Sequence, residues 1–128
     1  MGTHTTPEIS IESDELVLHL DHVETLESLR RSVRARIESI VTVTVVDDAY
    51  EFVHGLRLIG TGIPGATAVG RFVSHDGATF AVVHHGRPRG VVIEFRDGEF
   101  KRWVIGTDRP EDIVAYVTRE SETKPPLN

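Results

Sequence analysis

Four arginines within seven residues, Arg30, Arg31, Arg34 and Arg36, are the strongest concentration of a single chemistry in the chain. Guanidinium groups bind phosphate and carboxylate oxygens in pairs, so the cluster could hold a phosphorylated head group or an acidic partner. The same residues also have a plainer use. From Glu8 to Glu27 every charged side chain other than histidine is acidic, and the arginines offset that run. Glu27 and Arg31 are spaced to pair across a helical turn, and Arg34 and Arg36 alternate onto one solvated strand face. The plainer use is the favoured reading.

Gly60, Gly62 and Gly65 spell G-x-G-x-x-G. A dinucleotide site needs a strand before that motif and a helix after it, so that phosphate meets the helix N-terminus. Here Pro64 sits inside the motif, and the residues from Ala66 to Val73 alternate as a strand. Gly60, Gly62, Pro64 and Gly65 therefore read as a structural turn. Its backbone amides could form a small anion nest with Arg57 or Arg71 nearby.

The seven histidines raise the question of a metal. His84 and His85 are consecutive on a strand and point to opposite faces. His19 and His22 straddle a strand-to-helix junction. No His-Glu-x-x-His pattern occurs, and no spacing requires a site built from His19, His84 or His85 with a carboxylate. There is no cysteine and no Gly-x-Ser-x-Gly elbow. Most carboxylates fall on turns and helix starts, where capping explains them. The sequence therefore assigns no catalytic residue, metal ligand or cofactor. A histidine and carboxylate site assembled only by folding stays open as an alternative.

These residues must be positioned by elements that are mostly strands. The alternation starts at Ile9, and Glu15 to Leu20 reads as a first strand. Asp21 and Glu24 form a capping-box pattern for a helix from His22 to Ser32. Val33 to Ile37 returns to period two. Ile40 to Val46, nearly all β-branched, is the strand most committed by composition, and Asp47-Asp48 ends it. Ala49 to Ile59 reads as an irregular connection. Strands follow over Ala68–Ser74, Thr79–His85, Val91–Phe95 and Phe100–Gly106, separated by Gly- and Asp-rich turns. That spacing describes an antiparallel meander. Asp108 caps a last helix with Pro110 in its first turn and Ile113, Val114 and Val117 as its apolar stripe. Trp103, Phe72, Phe80, Phe95 and Phe100 read as core, although Val104 competes with Trp103 for the inward face.

At 128 residues the chain suits one domain over residues 9–120, with tails at 1–8 and 121–128. A net charge of −6 argues against nucleic acid as a partner. No window approaches the roughly 20 apolar residues of a spanning helix, and the polar first residues do not read as a signal peptide. The expectation is a cytoplasmic protein with no transmembrane segment.

The run Ile40–Asp48, then Gly55-Leu-Arg, Gly60-Thr-Gly-Ile-Pro-Gly and Gly70-Arg-Phe, resembles the bacterial pleckstrin-homology-like domain family. Phe80-Ala-Val-Val, Val91-Val-Ile-Glu-Phe and the helix from Pro110 carry the resemblance to Val117. It implies a barrel of about seven antiparallel strands in two near-orthogonal sheets, one open end plugged by the C-terminal helix. It also implies a binding or adaptor role. The helix at 22–32, between the first two strands, stands where phosphoinositide-binding relatives carry a basic loop. The expected ligand is therefore a protein segment added along a sheet edge. The alternative within binding is an anionic lipid or phosphorylated ligand held by the arginines.

Overall fold

In the computed structural model, which describes residues 8–20, 32–55, 59–60, 67–74, 76–84 and 89–123, nine strands form two sheets. The first is antiparallel and holds β1 (Glu8–Glu12), β2 (Glu15–His19) and β3 (Ser32–Arg36), in that order. A 3-10 turn, Ile37–Ser39, leads to the second sheet. That sheet contains β4 (Ile40–Val46), β5 (Ile59–Gly60), β6 (Thr67–Ser74), β7 (Gly77–His84), β8 (Gly90–Phe95) and β9 (Arg102–Gly106). Its spatial order is β4-β8-β9-β7-β6-β5. Helix α1 (Ala49–Gly55) lies between β4 and β5, and helix α2 (Pro110–Thr123) closes the described chain. No described helix is long and apolar enough to cross a membrane.

Both faces of the larger sheet are covered, and this explains its continuous apolar strands. Phe80, Val82, Val91, Ile93, Phe95, Trp103 and Ile105 face Leu16, Leu18 and Val33 of the small sheet and Val117 of α2. Ala81, Val83, Val92 and Val104 face Ala49 and Val53 of α1 on the other side. Trp103 and Val104 thus do not compete, because each fills a different core. At Gly90 the backbones close up tightly. An added Cβ would sit 2.4 Å from the Ile105 carbonyl oxygen and 2.8 Å from the Ala49 Cβ.

Several expectations are corrected. The strands are not an antiparallel meander, because β7 and β9 pair in parallel, with Phe80 beside Trp103 and Val82 beside Ile105. The Asp97-Gly98 turn makes β8 and β9 a hairpin, and β9 then enters between β8 and β7. β7 and β8 are thus two strand spacings apart, at about 4.8 Å each. The two sheets also do not close into a barrel among the described residues. Ala49 to Gly55 is a helix where an irregular connection was expected. Asp48 caps it, its Oδ1 accepting from the Glu51 amide at 3.0 Å and its carbonyl from the Phe52 amide at 3.0 Å. Ser32 opens β3 and does not end a helix, and the rest of the expected helix at 22–32 lies outside the described residues. The C-terminal helix runs on to Thr123, into what was read as a tail.

At the start of α2, the Arg109 carbonyl accepts from the Asp112 and Ile113 amides, so the cap position falls one residue beyond Asp108. Pro110 takes the first turn as expected. Arg89 hydrogen-bonds the Glu111 carboxylate and ties the β7–β8 connection to the helix. That bond, helped by a backbone amide, holds the Glu111 carboxyl below the ordinary glutamate range. A depressed folded value means the pair's contribution is present above the ordinary range and is lost as pH falls through the folded value. A carboxyl-detected NMR titration should place Glu111 low, and Arg89→Gln should raise it toward the ordinary range.

Candidate functional site

The outer edge of β4 combines features that the other sheet edges lack. A strand edge exposes unpaired N–H and C=O groups, and proteins usually blunt it with charge, proline, bulges or shortness. The opposite edge of the same sheet is the two-residue β5. The small sheet ends in β1, bounded by Glu8 and Glu12, and in β3, which carries Arg34 and Arg36. β4 is seven residues long, Ile-Val-Thr-Val-Thr-Val-Val, with no charge and no proline. Among the described residues it pairs only with β8. The edge is interrupted by an irregularity at Val41, which lies between the Ile40↔Phe95 and Thr42↔Glu94 pairs and is 58% exposed.

Beside this edge lies a groove of about 240 Å³. Ile37, Ile40, Val41 and Val43 form its floor and Thr118 and Ser121 of α2 its wall. No lining residue is charged. The Ser121 hydroxyl is buried and has no hydrogen-bond partner. The site therefore offers main-chain groups along β4, an apolar trough and one unused hydroxyl. Such a combination suits an extended chain better than a compact charged ligand.

Among the described residues, the arginines singled out from the sequence do not all meet in one place. Arg30, Arg31 and Arg57 lie outside the described residues, as do Gly62, Pro64 and Gly65. The backbone of Gly60 ends β5, opposite Phe72 of β6. Arg71 is exposed on β6, away from β3. Arg34 and Arg36 share the outer face of β3, where each already holds carboxylates. Arg34 reaches Glu15 and Glu12, both at 3.2 Å, and Arg36 reaches Glu38 at 2.6 Å. Glu12 and Glu15 stand directly opposite each other across the β1–β2 turn, a like-charge pair that Arg34 relieves. These groups are all about half exposed, so Arg34→Ala should lower stability by less than about 1 kcal/mol in urea denaturation.

On the same outer face, Ser10 Oγ and His19 Nε2 share a hydrogen bond at 2.8 Å. Glu12 Oε2 lies 3.7 Å from that same nitrogen. A nucleophile relay needs the carboxylate on the other ring nitrogen, so that it orients the base. Here serine and glutamate meet at one nitrogen, which makes a surface hydrogen-bond cluster. No three histidines, aspartates or glutamates among the described residues converge to hold a metal.

Two features were not read from the sequence. A pocket of about 50 Å³ lies between Arg34, Ala35 and Arg36 of β3 and the β8–β9 turn, against the Trp103 indole. Ser39 fixes that turn, its Oγ lying 2.9 Å from both the Asp97 carbonyl and the Asp97 carboxylate. Arg102 is buried on the α1 side of the larger sheet. It donates to Asp76 Oδ2 at 2.6 Å and to Thr79 Oγ1 at 3.0 Å, with Glu94 3.7 Å from its Nε.

No protein-family model, curated protein or solved structure matches this chain.

Proposed function

We propose that this chain is a non-catalytic binding or adaptor module of pleckstrin-homology-like type, working in the cytoplasm, whose ligand is a protein segment added as a strand along β4. The observation that carries the reading is the seven-residue uncharged edge of β4 lying beside an apolar groove. In strand addition the main-chain hydrogen bonds give affinity, and pockets for alternate side chains give selectivity. The groove floor of Ile40, Val41 and Val43 would take apolar side chains of the incoming segment. The structure shares with the resemblance two sheets and a C-terminal helix packed on one core, and departs from it in the parallel β7–β9 pair and the open sheets.

The test uses peptides selected from a random displayed library and titrated into the labelled protein. Saturable amide shifts over Ile40–Val46 and Thr118–Ser121 are expected. Selected peptides that shift other residues and leave β4 unmoved would overturn the reading. A short-chain anionic phospholipid serves as the second probe. Saturable shifts at Arg34 and Arg36 that weaken as salt rises would replace the reading with head-group binding.

A further inference from the structure

β4 is close to a palindrome. About Val43, Thr42 mirrors Thr44, Val41 mirrors Val45 and Ile40 mirrors Val46. An antiparallel two-fold pair of identical strands centred on Val43 would set Val43 opposite Val43 and threonine opposite threonine. Cross-strand pairs of these types stabilise a sheet, and a two-fold contact requires one patch to complement itself. Faces agree as well. Val43 and Val45 sit opposite Ile93 and Val91, which belong to the core shared with the small sheet, while Thr42 and Thr44 sit opposite Glu94 and Val92 on the other face. In the two-fold pair like faces meet from Thr42 to Thr44, whereas the irregularity at Val41 leaves Ile40 against the small-sheet core and Val46 against the α1 core.

Two copies of a chain with net charge −6 repel overall, and the seam adds no like-charge contact to that repulsion, since neither β4 nor its groove carries a charged residue. Thr118 and Ser121 of α2 line the groove along Ile40 to Val43, the first half of β4. The two-fold at Val43 places the two helix ends over opposite halves of the seam. Val45 of the second copy then comes beside Val41, the most exposed large apolar residue among those described.

We infer that the strand received at this edge is β4 of a second copy, joining two six-stranded sheets into one across a two-fold axis at Val43; the inference rests on the strand-addition reading above. The absence of cysteine makes the register directly testable. Directly opposed residues have Cα atoms about 4.5–5.5 Å apart, inside the range that a disulfide bridges. Val43→Cys should therefore form a disulfide-linked dimer on mild oxidation. Thr44→Cys should not link to itself, but should link to Thr42→Cys when the two proteins are mixed. Sedimentation equilibrium of the unmodified chain should give twice 14.2 kDa. The double variant Thr42→Lys/Thr44→Lys sets lysines opposite each other across the seam at two exposed positions, and should weaken association at least tenfold with its circular dichroism unchanged.

A monomer up to millimolar concentration would overturn the inference. So would a dimer that neither links through Val43→Cys nor responds to the lysines. Strand addition by other segments would still be judged separately, by whether library peptides shift β4. Shifts there in a monomeric protein would leave the earlier reading intact.

Discussion

Arg102→Ala is expected to cost about 3 kcal/mol of folding stability, at the low end of the cost of breaking a buried ion pair. Arg102 is only 4% exposed, and its guanidinium is held by Asp76, Thr79 and Glu94. The estimate sits at the low end because the Asp76 and Glu94 side chains are each 39% exposed and stay hydrated when the arginine is gone. What remains lost is the packing of the stem, the Thr79 hydrogen bond and the cross-strand tie. Arg102 joins β9 to Thr79 of β7, its parallel neighbour, and to Glu94 of β8, while Thr42 of β4 donates to Glu94 at 3.2 Å. Arg102→Met separates charge from packing. It keeps the stem and removes the buried Nε that has no hydrogen-bond partner. A clearly smaller loss for Met than for Ala in urea denaturation is expected; equal losses would mean that the charge carries the effect.

Trp103→Ala should cost about 3–5 kcal/mol, the usual loss for truncating a buried large aromatic. Trp103 is fully buried and meets the Phe95 ring edge-on, with centroids 5.0 Å apart. For a domain whose whole stability is about 5–15 kcal/mol, such a loss lowers the melting temperature by roughly 10–20 °C. Trp103→Phe should be milder. The indole Nε1 has no hydrogen-bond partner, so phenylalanine gives up volume without orphaning a polar group. Differential scanning calorimetry of the two variants checks the order.

Local chemistry made most strands legible. Ile40 to Val46 matches β4 at both ends, because an unbroken β-branched run bounded by a corner and by Asp47-Asp48 leaves no other choice. The Asp97-Gly98 turn likewise announced the β8–β9 hairpin. Strand order was hidden. Both faces of β7, β8 and β9 are apolar and buried, so alternation carries no word about which neighbours which. Helix α1 was missed although its signal was present: Asp48-Ala-Tyr-Glu51 is a capping pattern, and Asp48 was read only as the end of a strand. At the site, the strand and its missing charges were readable, and its position at a sheet edge was not. Arg102 gave no signal at all, since its partners come from residues 76, 79 and 94.

The central position of β9 governs when this molecule can fold during its own synthesis. Until residues 102–106 leave the ribosome, β8 and β7 cannot be bridged, and the larger sheet exists at most as two separate fragments. The strand that joins them is the last one made. Such long-range closure is slow and leaves apolar strand edges unpaired in the nascent chain. A stalled chain ending before Arg102 should therefore remain protease-sensitive and chaperone-bound, and release of β9 together with α2, whose Val117 completes the core, should commit the domain.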